Sequence, residues 1–298
     1  MPHAGAANIQ GGVTVDLRAL SGVQVSEDRE TVVIGTGVSW GEVYKVLSPL
    51  NLTVAGGRAA SIGVGGFLTG GGLSALGPAT GWGCDSVLEY EVVLASGGIL
   101  NVSGTSHADL FLALKGGSNN FGIVTKFTMK TYPSRGVWVG GALYPDSEIP
   151  RQSEAYSGFM DPANFDPRAD PVQGYGWTAE QKTLFVTNIL LYTEPRLDPP
   201  VLQPFMNSSA AVSLTSQIIS MADYVQEQSG SQPPGLNYIF FTTTFVHSPS
   251  IYASIVSKFN SSIPAISSVK NLNWYMAFQP SPALHGQNSL GLDPQDNG

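Results

Sequence analysis

Eight of the seventeen residues in Gly56-Gly-Arg-Ala-Ala-Ser-Ile-Gly-Val-Gly-Gly-Phe-Leu-Thr-Gly-Gly-Gly72 are glycine. Without Cβ atoms, such a run makes a poor strand and a poor long helix. It suits tight bends, where backbone N–H groups can approach a ligand closely. A series of such amides leading into a helix start can cradle the oxygens of a diphosphate. Two familiar phosphate-binding patterns are absent. G-x-G-x-x-G fails at Gly63, because Leu68 stands where its last glycine belongs, and no G-K-[ST] loop occurs. The simpler alternative is a glycine-packed turn between a strand and a helix.

Composition narrows the partners. The 298 residues suffice for about two domains. Only 12% are charged, against about 25% in an ordinary soluble domain. The 22 acidic residues outnumber 14 Lys and Arg, and no basic cluster exists. A nucleic-acid backbone is therefore a poor partner. No apolar run reaches the roughly 20 residues that span a bilayer. Cys84 is the one cysteine, which excludes an internal disulfide and a Cys-rich zinc site. Four sequons, at Asn51, Asn101, Asn207 and Asn260, have meaning only in the secretory pathway; chance occurrence is equally open. No signal peptide is visible, the compartment stays unassigned, and both ends read as cut.

Patterning predicts short strands at 13–17, 31–36 and 52–54, and a helix capped by Ser39 and running through Leu47. Residues 88–95 and 99–102 read as a hairpin about Ser96-Gly97-Gly98. A helix follows Ser106, with Asp109 completing a loose capping box, and ends at Gly116-Gly117. A long strand is expected over 121–132. After Arg135, strand-like runs (137–144, 183–192, 238–246, 272–278) alternate with helix-like runs (151–160, 200–206, 218–226, 251–260). This predicts an antiparallel sheet backed by helices, with a domain boundary near 133–137.

In order along the chain stand the glycine run, Gly81-Trp-Gly-Cys-Asp85-Ser-Val, Val93-Leu-Ala-Ser-Gly-Gly, His107-Ala-Asp-Leu-Phe-Leu-Ala-Leu-Lys-Gly-Gly117 and Asn119-Asn-Phe-Gly-Ile-Val-Thr125. The series resembles the FAD-linked oxidases of the vanillyl-alcohol-oxidase/PCMH type, in the berberine-bridge-like and 6-hydroxynicotine-oxidase-like branch. Gln279-Pro-Ser-Pro282 and Asn288-Ser-Leu-Gly-Leu292 extend the likeness.

The resemblance implies an α+β chain. Residues 1–135 would be part of a two-subdomain PCMH-type FAD-binding domain, and 136–298 a substrate domain with an antiparallel sheet and helices. It implies FAD as cofactor, with Ser61, Ile62, Gly63, Val64, Gly65 and Gly66 lining the pyrophosphate and flavin. Gly70, Gly71 and Gly72 would let the next helix pack. Gly81 and Asp85 match a pair near the ligand, and Gly122, Ile123 and Val124 match the strand start at the adenosine end. It also implies hydride transfer from a small secondary metabolite to the flavin, with molecular oxygen as acceptor.

The family's Arg-x-Gly-Gly-His loop, whose histidine often bonds the flavin, would end just before Met1; His3 reads as a loop histidine. The branch's flavin-bonding cysteine is absent, because the matching run is Ala59-Ala-Ser-Ile-Gly63. Cys84 reads as a small buried residue. The family's C-terminal return segment is missing as well. The competing expectation is a non-catalytic chain that does not retain FAD.

Other candidates carry less. His107 beside Asp109 reads as a helix-start surface residue. His247 and His285 lack partners at metal-ligand spacing. Tyr175, Trp177, Tyr238, Trp274 and Tyr275 could face a flavin, or be core aromatics of the sheet. No catalytic base emerges from the sequence.

Overall fold

A computed structural model describes residues 8–230, 237–284 and 290. His3, His285 and most of the run from Asn288 to Leu292 lie outside them. The chain divides into two compact units. One comprises Met1–Arg135, Ser220–Phe245 and Pro282–Gly298; the other comprises Gly136–Ile219 and Val246–Ser281.

The first unit opens with β1 (Val23–Val25), β2 (Thr31–Gly35) and α1 (Trp40–Leu47). Ser39 precedes α1 in an extended conformation. Its N–H donates to Glu42 Oε2 at 2.7 Å and its hydroxyl to the same oxygen at 2.9 Å. The predicted helix start is thus fixed by local chemistry. Trp40, Val43, Tyr44 and Leu47 form its buried face. Next come β3 (Leu52–Thr53), the short helices α2 (Val64–Thr69) and α3 (Gly77–Thr80), and β4 (Val87–Val93). Then follow β5 (Ile99–Ser103), α4 (Ala108–Leu114), β6 (Ile123–Lys130) and β7 (Tyr132–Pro133).

A five-stranded sheet in the order β1-β2-β6-β4-β5 is antiparallel throughout, and β3 pairs with β7. Val32, Ile34, Tyr90, Val92, Phe127 and Met129 alternate onto its buried face.

The second unit holds β8 (Val137–Pro145), α5 (Ile149–Met160), β9 (Ala169–Thr178), β10 (Leu184–Tyr192) and β11 (Ser213–Ile219). The chain returns to the first unit with α6 (Met221–Ser229). It re-enters the second with α7 (Pro249–Ile266) and β12 (Asn273–Phe278). The sheet order is β11-β8-β10-β9-β12, again antiparallel throughout.

Its core contains a hydrogen-bonded polar layer. Asn188 donates to Gln152 Oε1 (2.8 Å) and to the Phe205 carbonyl (3.2 Å). Gln173 donates to the Gln152 carbonyl (2.8 Å) and to Asn188 Oδ1 (3.2 Å). Tyr175 donates to Gln173 Oε1 at 2.7 Å, and burial pushes its phenol up to about 12.

Several expectations are corrected. Residues 13–17 form no strand; Val13 and Val15 are exposed, and the segment has no ladder partner among the described residues. Residues 238–246 are likewise not a strand, with Ile239 and Phe241 more than four-fifths exposed. Apolar alternation without a neighbouring strand leaves the backbone unpaired. The stretch 218–226 splits, because Ile218 and Ile219 finish β11 and Ser220 caps α6 by accepting the Asp223 N–H at 3.1 Å. Ser106 does not cap α4. His107 does so in the left-handed region (φ 55°), without a side-chain bond. Strands β1, β9 and β11 were not foreseen.

Candidate functional site

The glycine run follows α1 and bends back along it. Trp40 N–H donates to the Ile62 carbonyl (2.9 Å) and Val64 N–H to the Val38 carbonyl (3.0 Å). The bend at Gly63 therefore lies beside the loop leaving β2. Gly65 packs on Thr36, where an added Cβ would sit 2.4 Å from the hydroxyl. Thr36 N–H in turn donates to the Thr125 carbonyl at the start of β6. This chain of contacts brings Gly63–Gly66 to the same end of the sheet as Gly122, Ile123 and Val124.

There Glu91 on β4 accepts from Lys126 Nζ (2.8 Å) and from Thr125 Oγ1 (2.6 Å). These donors, Lys126 first, hold its carboxyl below the ordinary range. Gly122 has φ +142°, and an added Cβ would lie 2.7 Å from the Val93 carbonyl. Ile123 is partly exposed, while Val124 is buried.

The glycines divide by task. A Cβ on Gly63 or Gly66 would meet nothing within 4 Å, so both face open space. Among the described residues, the amides of Gly63, Gly65 and Gly66 have no protein acceptor. Gly56, Gly57, Gly72 and Gly83 instead make room for aromatic rings. Added Cβ atoms there would come within 2.4–2.7 Å of Trp40 or Phe67. Those two rings meet edge to face, with centroids 5.2 Å apart.

Other predicted positions have internal partners. Ser61 N–H donates to Ser229 Oγ (3.3 Å), Ile62 N–H to the Ala59 carbonyl and Val64 N–H to that of Val38. Gly70, Gly71 and Gly81 donate to Gly66, Leu68 and Gly77. The Gly71 and Gly72 carbonyls accept from Cys84 (2.9 Å) and Gly83 (2.8 Å), which joins the two motif segments. Asp85 Oδ2 accepts the Trp82 N–H at 2.9 Å. Asp85 Oδ1 and Trp82 Nε1 are buried without a hydrogen-bond partner among the described residues. Cys84 is fully buried.

Three features escaped sequence reasoning. Trp40 and Phe67 wedge the glycine run from inside. Ser229 lies 168 residues from its partner, beyond the reach of any local signal. Lys115 stood in plain view at the end of an apolar helix, just before two glycines, and its side chain is 9% exposed beside Asp85.

The aromatics singled out in the sequence separate as well. Tyr175 and Trp177 are core. Trp274 stacks on Phe259, with centroids 5.8 Å apart. Tyr238 lies in irregular chain, and half-exposed Tyr275 shares a hydroxyl bond with Thr187 at 2.9 Å. His247 Nδ1 pairs with the Tyr252 hydroxyl at 3.1 Å. No group of three or more His, Cys, Asp or Glu suited to a metal occurs among the described residues, and none of their helices is long and apolar enough to cross a membrane.

The fold and this glycine bend define an α+β chain of two antiparallel sheet units, the first of which carries a candidate diphosphate cradle. Residues 3–103 match the family model described as an FAD binding domain. The chain thus carries an FAD-binding domain, and its homologues are FAD-dependent monooxygenases. It is 35% identical over 267 residues to the FAD-dependent monooxygenase tpcD of Cochliobolus heterostrophus, covering 87% of this chain and 51% of that protein. It is 36% identical over 249 residues to FUP4 of Fusarium proliferatum, covering 81% and 48%.

Among solved structures, 6-hydroxy-D-nicotine oxidase of Arthrobacter nicotinovorans superposes with a TM-score of 0.69 at 22% identity, covering 78% of this chain and 51% of that one. Xylooligosaccharide oxidase of Myceliophthora thermophila gives 0.68 at 20%, covering 90% and 59%. These two likenesses show the fold. The chain spans about half the length of the curated relatives it matches.

Proposed function

We propose that this chain is the FAD-holding part of an oxidoreductase acting on a small organic molecule of secondary metabolism, with molecular oxygen taking the electrons. The carrying observation is the bend from Gly63 to Gly66. It carries three unengaged amides, and two of its glycines, Gly63 and Gly66, face open space. Such amides supply hydrogen bonds to phosphate oxygens without a cluster of Lys or Arg, so the residues present fit a dinucleotide diphosphate. When bound, FAD supplies the hydride-accepting chemistry.

The chain's own residues bind and orient. Gly63, Gly65 and Gly66 donate to the diphosphate, while Ser61, Ile62 and Val64 shape the bend through their internal bonds. Gly70, Gly71, Gly72, Gly81 and Asp85 brace it, and Gly122, Ile123 and Val124 border the adenosine end. Residues 1–135 form the FAD-binding domain in this reading, with Ser220–Phe245 contributing α6 to it, and residues 136–219 and 246–281 form the substrate domain. A non-catalytic chain that does not retain FAD is not favoured, given the FAD-domain match and the FAD-dependent homologues.

The test places a carboxylate in the open space. Gly66→Asp should fold normally, because its Cβ meets nothing, yet weaken FAD binding at least about tenfold through repulsion of the diphosphate. Flavin absorbance co-eluting on gel filtration, together with a thermal melt, measures both. Equal FAD retention by Gly66→Asp and the unsubstituted chain would sink the proposal.

A further inference from the structure

Lys115 caps the C-terminus of α4, immediately before Gly116 and Gly117. Its side chain is 9% exposed, and a largely covered cation gains from an acceptor or carboxylate beside it. Among the described residues Nζ makes no hydrogen bond. Its neighbours are Asp85 Oδ1 at 3.9 Å and the Phe111 ring, whose centroid lies at 4.8 Å. Asp85 Oδ1 also lacks a hydrogen-bond partner. The Lys115 ammonium is therefore the cation that lies beside this buried carboxylate oxygen.

The pair joins two backbone segments that hydrogen-bond the glycine run at different residues. Through Oδ2, Asp85 closes the turn at Gly83–Ser86, and that turn is bonded to the carbonyls of Gly71 and Gly72. Three residues beyond Lys115, Ser118 N–H donates to the carbonyl of Thr69, the last residue of α2, at 2.8 Å. We propose that Lys115 is a positioning residue for the FAD cradle. Its ammonium holds the Asp85 carboxylate, and so keeps both segments in register against Gly70, Gly71 and Gly72. The inference rests on the reading that the bend at Gly63–Gly66 holds FAD.

The experiment compares Lys115→Met, Lys115→Arg, Asp85→Asn and the Met/Asn double variant with the unsubstituted chain. Two readouts are used: the FAD dissociation constant, and hydrogen exchange of residues 66–86 in FAD-free protein. Lys115→Met should raise the dissociation constant about tenfold and speed exchange in that stretch, because it strands a buried carboxylate. Lys115→Arg should restore both. The double variant should be less impaired than Lys115→Met alone, since no charge is stranded.

Unchanged exchange and affinity in Lys115→Met would overturn the proposal. So would an arginine variant as impaired as the methionine one, or purely additive effects in the double variant. If Lys115→Met gives no soluble protein, recovery of soluble protein by the added Asp85→Asn supports the pairing, and equal loss refutes it. If the unsubstituted chain binds no FAD, the reading of the bend fails; the exchange data on FAD-free protein still decide whether the pair holds these segments.

Discussion

Gly72→Ala is expected to cost about 2–5 kcal/mol of stability and to strip FAD from the chain. Two independent penalties meet at this residue. Its φ of +84° is one that L side chains rarely adopt, which costs roughly 1–2 kcal/mol. The new methyl would also sit 2.4 Å from Phe67 Cε1. Phe67 has little room to retreat, because the ring lies against Trp40 on one side and an added Cβ at Gly83 would reach it at 2.7 Å. Moving Phe67 moves α2, whose first turn presents the amides of Gly65 and Gly66. The melting temperature should fall by roughly 5–15 °C, with flavin lost in parallel. Adding Phe67→Leu should recover the steric part and leave the backbone part. Full flavin retention by Gly72→Ala would show that the glycine there is incidental.

Asn188→Leu should destabilise the second unit by about 3–5 kcal/mol. The substitution keeps the branched side-chain skeleton but breaks the buried layer. Gln152 Oε1 loses its donor, and Gln152 Nε2 already has no acceptor among the described residues. Gln173 Nε2 keeps only the Gln152 carbonyl, and the Phe205 carbonyl keeps only the Tyr144 hydroxyl at 3.1 Å. A buried polar group stranded in this way costs about 1–3 kcal/mol. Adding Gln152→Leu and Gln173→Met should recover much of the loss, since an apolar layer strands nothing. Circular dichroism melts of the single and triple variants measure the difference. A single variant melting within about 2 °C of the parent would show the layer to be energetically neutral.

Much of the first unit was legible because its signals are local. Ser39 and Glu42 lie three residues apart and bond to each other, so the start of α1 needs no distant partner. The turn at Ser96–Gly98 likewise sets the β4–β5 hairpin. Residues 13–17 and 238–246 misled because alternation of apolar residues marks a strand only if another strand lies alongside. The β9 strand was missed for the converse reason. Its Gly174 and Gly176 look like turn residues, but added Cβ atoms there would collide with the Tyr275 hydroxyl and the Phe185 ring.

The order of motifs between Gly56 and Thr125 was enough, by itself, to point to a glycine bend in an α+β chain with FAD as its cofactor. Backbone conformation and amide density follow from residue type at short range, and a linear string records them. The string did not say which glycines face open space and which accommodate Trp40 and Phe67, that Ser229 fastens Ser61, or that Lys115 sits against Asp85. Those assignments depend on residues distant in the chain becoming neighbours, and only the packed fold decides which atoms fill the space beside a missing side chain.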